Sequence, residues 1–155
     1  MTLRAGIDNQ GFSLIEMLLV LVLLGISSLV VIPNVNRGMR AQELRKAALE
    51  LAAAARDLRS RALYEGVPQQ LVLHLPENRY FAARQREVQL PPNVRFGEVD
   101  GGEALNSGSK RFVFFPNGST LGGTVRLSID ERSPAYSIRF EPLTGRIEVL
   151  RGDKS

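Results

Sequence analysis

One carboxylate lies inside an otherwise apolar stretch near the N terminus. Glu16 follows Phe12 and Ile15 and precedes the run from Met17 to Asn36, in which twenty consecutive residues are uncharged. A carboxylate at the centre of a bilayer costs about 2.5–3.5 kcal/mol on insertion scales, so a charged partner is expected. Cleavage after Gly11 would create an α-amine at the same depth, and the two charges could pair between staggered helices of neighbouring subunits. The open alternative is that the span begins at Met17 and leaves Glu16 among the headgroups.

Few other side chains could do chemistry. The chain has no cysteine, which excludes disulfides, thiolate nucleophiles and cysteine-ligated metal sites. His74 is the single histidine, so no second imidazole can complete a zinc site, and we expect it to be a solvated strand residue. The glycine-rich stretches lack the GxxxxGK[ST] pattern of a phosphate-binding loop. The sequence therefore predicts a protein that is not an enzyme, with no metal and no cofactor.

The run from Met17 to Asn36 predicts a membrane-spanning helix. At 1.5 Å per residue, its twenty residues span about 30 Å, the thickness of the hydrocarbon core of a bilayer. A cleaved secretory signal is the nearest alternative, but the run is longer than a signal core and no small-x-small site follows Ile32. Pro33 removes one helical hydrogen bond and is predicted to kink the helix.

The helical pattern resumes after Pro33. Leucine and alanine recur at spacings of three and four from Leu44 to Ala62, which predicts an amphipathic helix with one apolar stripe packed on a domain. Residues 37–61 carry seven basic and three acidic side chains, so most of the net charge of +4 lies here. This basic flank could also face anionic headgroups or acidic patches on adjacent subunits. Gly66 and Pro68 are expected to end the helix.

The chain after Pro68 predicts short strands and turns. Strands are expected at residues 70–75, 79–83, 110–115, 124–129, 136–141 and 146–150, in an α+β fold whose antiparallel sheet or sandwich packs on the helix. Residues 97–109 hold four glycines and no apolar period, and are predicted to be a mobile loop. Because glycine accepts positive φ and proline ends a strand, five residues are interpreted as structural turn residues: Pro116, Gly118, Gly122, Gly123 and Gly145.

Residues 11–16, Gly-Phe-Ser-Leu-Ile-Glu, resemble the processing signature of type IV prepilins. The resemblance implies that a membrane prepilin peptidase cleaves after Gly11 and that Phe12 becomes the N-methylated first residue. It also implies that Glu16 neutralises the terminal amine of a neighbouring subunit during assembly. Families with this signature form type IV pili or the pseudopili of type II secretion.

A second resemblance lies in the C-terminal half. Residues 115–119, Phe-Pro-Asn-Gly-Ser, followed by Gly122-Gly123 and the turn at residues 143–146, are similar to the GspH/FimT group of minor pseudopilins and pilins. The resemblance implies a type IV pilin-like fold with a leader peptide at residues 1–11 and a transmembrane and filament-core helix at 12–32. An amphipathic continuation of that helix would follow at 33–65, and a periplasmic β-domain at 66–155.

The implied function is that of a minor pseudopilin of the type II secretion system. Such a subunit would lie near the tip of a periplasmic pseudopilus that drives the export of folded proteins. Its implied location is the inner membrane, crossed once, with the C-terminal domain in the periplasm. Its implied partners are other major and minor pseudopilins, the prepilin peptidase, the inner-membrane assembly platform and membrane lipid. Basic residues are more numerous after the span than before it, which by itself would favour a cytoplasmic C-terminal part. The prepilin motif is given precedence over this charge rule.

The alternative is a FimT- or FimU-like minor pilin of a type IV pilus that contacts DNA during uptake. A DNA-binding surface needs basic residues clustered on one face. Residues 62–155 are nearly charge-balanced, so nucleic acid is not a favoured partner. Five basic residues could still converge in space: Arg132, Arg139, Arg146, Arg151 and Lys154. The absence of cysteine means that a pilin-type C-terminal disulfide loop is missing, which favours the pseudopilin.

Overall fold

A long helix precedes a set of short antiparallel strands in the described part of the chain. The computed structural model describes residues 12–105, 108–130 and 135–152, and for residues 29–37 it describes the backbone alone. Helix α1 runs from Leu14 to Glu65, and the chain divides between Gly38 and Met39 into two units. The first unit contains the start of α1, and the second contains the rest of α1 and all described strands.

Nine strands follow α1 in the described residues. They are β1 (Gln69–His74), β2 (Arg79–Phe81), β3 (Glu87–Gln89), β4 (Arg95–Gly101), β5 (Glu103–Leu105), β6 (Ser109–Phe114), β7 (Gly123–Ser128), β8 (Ala135–Phe140) and β9 (Ile147–Gly152). They form a five-stranded antiparallel sheet in the order β3-β2-β1-β6-β5 and a four-stranded antiparallel sheet in the order β4-β7-β8-β9. A short 3₁₀ turn at Ala83–Gln85 separates β2 from β3. The predicted α+β fold is confirmed.

The core lies between the second part of α1 and the two sheets. The predicted apolar stripe of α1 is fully buried: Leu44, Ala48, Leu51, Ala55, Leu58 and Ala62 are each no more than 2% exposed. These side chains form one cluster with the inward-facing residues of both sheets. Phe140 of the four-stranded sheet contacts Phe112 and Phe114 of the five-stranded sheet, with ring centroids 4.8 and 6.0 Å apart. The predicted packing of the amphipathic helix on a domain is confirmed.

All six predicted strands are present, and their ends agree with the predictions to within two residues. The prediction of a mobile loop at residues 97–109 was wrong, because β4 and β5 occupy most of these residues. Two of its glycines lie where strands approach closely: a Cβ added to Gly101 would lie 2.6 Å from the Gly123 Cα, and one added to Gly102 would lie 3.0 Å from the Arg111 carbonyl oxygen. The composition suggested a flexible segment, whereas Gly101 and Gly102 allow neighbouring strands to approach closely. The short, mostly exposed β3 was also not predicted.

A lysine joins the two sheets at their edge. Lys110 Nζ, on β6, donates hydrogen bonds to the carbonyl oxygens of Val99 and Gly101 on β4, at 2.6 and 3.2 Å. A charged donor forms stronger hydrogen bonds than a neutral one. The lysine therefore helps to fix β4, the strand that the sequence did not indicate, against the five-stranded sheet.

Candidate assembly segment and glycine turns

The assembly residues named from the sequence lie at the start of α1. The backbone N–H groups of Glu16 and Met17 donate to the Ser13 carbonyl oxygen, at 3.0 and 3.1 Å, and close the first turn. The Glu16 side chain is exposed in that turn, where the positive end of the helix dipole favours a carboxylate. Phe12 is 74% exposed. Gly11, the predicted cleavage residue, lies outside the described residues.

The beginning of α1 exposes apolar side chains on every side. All residues from 12 to 28 are exposed, and Leu14, Leu18 and Leu21 are 90, 63 and 68% exposed. A helix that is apolar all round is normally buried in protein or lipid. Large exposed apolar surfaces mark sites of protein or membrane contact. This segment therefore has the surface of a helix that is completed by partners outside the chain.

Two serines lie within the same apolar segment. Ser27 Oγ and Ser28 Oγ donate to the carbonyl oxygens of Leu23 and Leu24, at 2.7 and 2.8 Å, so both hydroxyls have hydrogen-bond partners within the helix. The backbone is helical through Pro33, whose side chain is not described, and the predicted kink stays a prediction. In the residues that the structure describes, no helix is long and apolar enough to cross a membrane.

The predicted turn residues of the C-terminal half lie in two loops that touch. Pro116 is the second residue of a turn in which the Gly118 N–H donates to the Phe115 carbonyl oxygen at 2.9 Å. Gly145 lies in the turn between β8 and β9, and its N–H donates to the Glu141 carbonyl oxygen at 2.9 Å. Gly118 and Gly145 have φ values of 85° and 60°. A Cβ added to Gly145 would overlap the Gly118 carbonyl oxygen, so a side chain does not fit.

Gly122 and Gly123 lie at the start of β7, beside the end of β4. Their φ values are 73° and 137°, which favour glycine. A Cβ added to Gly122 would overlap the ring of Pro142, and one added to Gly123 would overlap the Asp100 carbonyl oxygen. Gly123 therefore permits close approach of β7 to β4, and Gly122 permits close approach of the chain before β7 to the turn after β8.

Two arginines of α1 hold these loops in place. Arg59 donates from Nη2 to the Thr144 carbonyl oxygen at 2.8 Å and from Nε to the Gly118 carbonyl oxygen at 3.3 Å. Arg56 Nη2 donates to the Ile147 carbonyl oxygen at 3.0 Å. We call Arg59, Gly118, Thr144 and Gly145 the arginine–glycine clamp. It joins the end of α1 to both glycine turns.

Sequence reasoning missed the role of these arginines. Helical periodicity placed Arg56 and Arg59 on the solvated flank of α1, as basic residues beside the apolar stripe. Their spacing gives no signal for the loops that they reach, because the carbonyl oxygens lie 59 and 85 residues away from Arg59 and 91 residues away from Arg56. The only usable hint is that each arginine directly follows a residue of the buried stripe, Ala55 or Leu58.

His74 lies on the outer face of the five-stranded sheet and is partly exposed. Its Nδ1 is 3.0 Å from Ser109 Oγ, and its ring contacts the Phe81 ring edge-on, with centroids 5.2 Å apart. Within the described residues, no group of three or more His, Asp or Glu side chains could hold a metal ion. The imidazole is thus held by a hydroxyl and an aromatic ring.

The basic residues proposed for a DNA surface are divided among the described strands. Arg139 pairs across strands with Glu148, and Arg151 pairs with Tyr136. Side chains alternate between faces along a strand, so Arg139 and Arg151 lie on opposite faces of the sheet. Arg146 forms an ion pair with Glu148 at 3.1 Å. Arg132 and Lys154 lie outside the described residues, and the three described arginines do not form a single basic face.

Comparison with known proteins gives three findings. Residues 8–32 match the family described as "Prokaryotic N-terminal methylation motif". The chain is 29% identical over 126 residues to the type II secretion system protein H of Xanthomonas campestris pv. campestris, with 79% of this chain aligned to 73% of that protein. Its fold is similar to that of the minor pseudopilin EpsH from the Type 2 Secretion System of Vibrio cholerae, with a TM-score of 0.55 at 12% identity, covering 70% of this chain and 97% of that one.

These findings support a GspH-type pseudopilin. The family resemblance and the type IV pilin-like fold expected from the sequence are therefore confirmed. The methylation motif indicates a prepilin-like N-terminal anchor in this chain, and its range includes Gly11, Phe12 and Glu16. The two relatives are named as a secretion-system protein and as a pseudopilin, not as enzymes.

Proposed function

We propose that this chain is a minor pseudopilin, a non-enzymatic subunit of the pseudopilus of a type II secretion system. The observation that carries the proposal is a prepilin methylation motif on a helix whose apolar side chains at residues 12–28 are all exposed, followed by a domain with the pseudopilin fold. In this proposal the subunit assembles with other major and minor pseudopilins. It lies near the pseudopilus tip and supports the export of folded proteins.

The apolar N-terminal segment would serve in two environments in turn. Before assembly it would anchor the protein in the inner membrane, with one crossing and the β-domain in the periplasm. A prepilin peptidase would remove residues 1–11 by cleavage after Gly11, Phe12 would be methylated, and the assembly platform would then transfer the subunit to the pseudopilus. Lipid tails and neighbouring apolar helices both match the exposed leucines, because neither requires polar groups on the segment.

Glu16 would set the axial position of the subunit among its neighbours. The Phe12 amine and the Glu16 carboxylate are four residues apart, about 6 Å along one helix. A partner helix shifted along the filament axis can bring its amine closer to this carboxylate. Opposite charges attract strongly in an apolar interior, whereas an uncompensated buried charge is strongly destabilising. Assembly would therefore favour the single register in which each glutamate meets an amine.

The test replaces Glu16 in the native host. Glu16→Gln keeps the shape of the side chain and removes its charge, and Glu16→Ala removes both. We expect both variants to be cleaved normally, yet to lose co-purification with sibling pseudopilins and to reduce protein secretion at least tenfold. Glu50→Gln is the matched control, because Glu50 is an exposed acid on the domain part of α1 with one ion pair of 3.8 Å to Lys46. A Glu16→Ala strain with normal secretion and co-purification would overturn the proposed role.

Cleavage and topology can be tested separately from assembly. Gly11→Val should block the peptidase, so that the protein keeps its leader and migrates as the unprocessed form. A reporter active only in the periplasm, fused after Ser155, should be active, and a reporter active only in the cytoplasm should be silent. The reverse pattern would mean that the basic residues after the apolar run decide the topology, and the periplasmic location would be withdrawn.

A further inference from the structure

Strand β1 is fully paired on one side only. Strand β6 pairs with all six of its residues, Gln69–His74, whereas β2 pairs with it only from Val72 to His74. Strand β2 ends at Phe81 and is followed by the 3₁₀ turn at Ala83–Gln85. Among the described residues, no strand covers residues 69–71 on the β2 side. A free strand edge presents backbone N–H and C=O groups to which another extended chain can pair.

A groove lies beside this free edge. Its cavity measures about 470 Å³, within the range of ligand-binding pockets. Its lining includes the apolar side chains of Pro68, Val72 and Phe81. The amide side chains of Gln69 and Gln70 also line it. The groove thus combines an apolar surface with an open hydrogen-bonding edge, the two features that strand-adding peptides use.

The opposite rim of the groove is a strained loop. Arg84 and Gln85, which also line the cavity, have φ values of 55° and 56°, in the left-handed region that non-glycine residues rarely adopt. Two hydrogen bonds hold the loop closed: the Ala82 N–H donates to the Arg86 carbonyl oxygen at 3.0 Å, and the Arg86 N–H donates to the Ala83 carbonyl oxygen at 3.2 Å. Backbone strain of this kind is concentrated at binding and functional sites.

The strained loop carries two arginines without a side-chain partner among the described residues. Arg84 and Arg86 are exposed and make no side-chain hydrogen bond or ion pair with the described residues. The acids nearest in sequence, Glu77 and Glu87, are both bound by Arg79. The two free guanidinium groups therefore favour a negatively charged ligand.

We propose that this groove binds an extended acidic segment of another protein chain. About three residues of the segment would pair with residues 69–71, since a strand advances 3.2–3.4 Å per residue. Its carboxylates would lie beside Arg84, which lines the groove, with Arg86 two residues further along the same loop. Its alternate side chains would contact Val72 and Phe81. The site lies entirely within the unit from Met39 onward, with Leu58 of α1 as part of its lining, so it does not depend on the fate of the N-terminal segment.

The direct test measures peptide binding to the full chain in detergent micelles. The probe is a capped, labelled peptide of four Val-Glu repeats, and the control is its charge-inverted form with four Val-Lys repeats. By fluorescence anisotropy we expect at least a tenfold preference for the acidic peptide, with affinity that falls as salt is added, because the rim is exposed to solvent. Equal binding of both peptides, or no binding of the acidic one, would overturn the proposal.

Two further comparisons separate the rim from the strand edge. Arg84→Gln combined with Arg86→Gln should weaken acidic-peptide binding at least tenfold. The matched control, Arg126→Gln with Arg139→Gln, neutralises two exposed arginines of the other sheet and should leave binding unchanged. On the unaltered protein, an acidic peptide methylated at alternate backbone nitrogens should bind at least tenfold more weakly. Equal loss in both double variants, or normal binding of the methylated peptide, would contradict the proposed strand addition.

Discussion

The two parts of helix α1 carry similar leucines but use them in opposite ways. Leu21 and Leu24 are 68 and 59% exposed, whereas Leu51 and Leu58 are 0 and 1% exposed. The first part is apolar on all sides, and every described side chain from residue 12 to 28 is exposed. In the second part, an apolar stripe faces the sheets and the charged residues lie beside it.

This difference distinguishes the part of α1 that is exposed for contacts outside the chain from the part that stabilises the fold. Apolar side chains stabilise a fold only when the fold removes them from water. The first part buries little apolar surface within the chain and should contribute little to its stability, and its exposed apolar side chains remain available for contacts outside the chain. The second part determines the stability of the β-domain. Substitutions in the two parts should therefore change different measurements.

The largest effect should come from the clamp that ties the second part of α1 to the sheets. Gly145→Ala would place a Cβ against the Gly118 carbonyl oxygen and 2.6 Å from Arg59 Nε, in a backbone conformation with φ of 60°. We expect the free energy of unfolding to fall by about 4 kcal/mol, which is at the upper end for a single substitution. Urea unfolding of the full chain in detergent, followed by tyrosine fluorescence, measures this loss.

Gly66→Ala is the matched control for the clamp. Gly66 has a similar φ of 69°, but a Cβ there would meet open space. It should lose only the cost of a left-handed backbone, about 1–2 kcal/mol. Equal losses at Gly66 and Gly145 would mean that backbone conformation, and not the contact between the two turns, determines the effect.

The sequence predicted the buried stripe of α1 and six strands because both depend on local periodicity. The apolar residues from Leu44 to Ala62 repeat every three or four residues, and Leu71 and Leu73 alternate with Val72 and His74 on the other face of the strand. It did not predict β4 or the clamp, because these depend on contacts between distant segments. Gly101 is needed where β4 meets Gly123, and Arg59 reaches carbonyl oxygens of loops far along the chain. The spacing of apolar residues carries no information on which distant segments come into contact.

A pair of leucine substitutions tests the comparison directly. Leu51→Ala should lower the free energy of unfolding of the domain by about 2–5 kcal/mol, because it removes a fully buried side chain from the core. Leu21→Ala should change it by less than about 0.5 kcal/mol, as expected for an exposed position. The same urea titration in detergent serves for both.

In the native host we expect Leu21→Ala, and not Leu51→Ala, to be the substitution that acts directly on assembly. Leu21→Ala should reduce co-purification with sibling pseudopilins at an unchanged protein level. Leu51→Ala should act mainly by lowering the amount of folded protein. If Leu21→Ala destabilised the domain as much as Leu51→Ala, the first part of α1 would have to pack within its own chain, and the distinction between the two parts would be lost.

A smaller effect should follow from removing the polar contacts of the clamp. Arg59→Met keeps much of the side-chain bulk but loses the hydrogen bonds to the Gly118 and Thr144 carbonyl oxygens. Hydrogen bonds to charged groups contribute about 1.5–3 kcal/mol, and partial exposure of this arginine places the expected loss near 2 kcal/mol. Arg45→Met is the control, because Arg45 is exposed and forms no side-chain hydrogen bond or ion pair with the described residues. A loss at Arg45 equal to that at Arg59 would show that net charge, and not the clamp, is responsible.

The smallest effect concerns Tyr80, which reports on the contact between the second part of α1 and the five-stranded sheet. Burial, with a further contribution from the charge of Glu50 on α1, raises the pKa of the Tyr80 phenol to about 12. In the unfolded chain the phenol titrates near 10, so between pH 10 and 12 the unfolded state releases a proton that the folded state retains. Stability from this group is therefore fully present below pH 10 and is lost as the pH rises toward 12.

At pH 11 the loss should be at most about 1.4 kcal/mol, the equivalent of one pKa unit. Urea unfolding at pH 9 and pH 11 measures it, and Tyr80→Phe supplies the control, because the other titrating groups are common to both proteins. The unaltered protein should lose more stability than the Phe variant over this interval. An equal loss in the two proteins would mean that solvent reaches the phenol in the folded state. The buried stripe of α1 would then not exclude water from the core at Tyr80. The contrast between the buried second part and the exposed first part of the helix would be weaker than the side-chain exposures indicate.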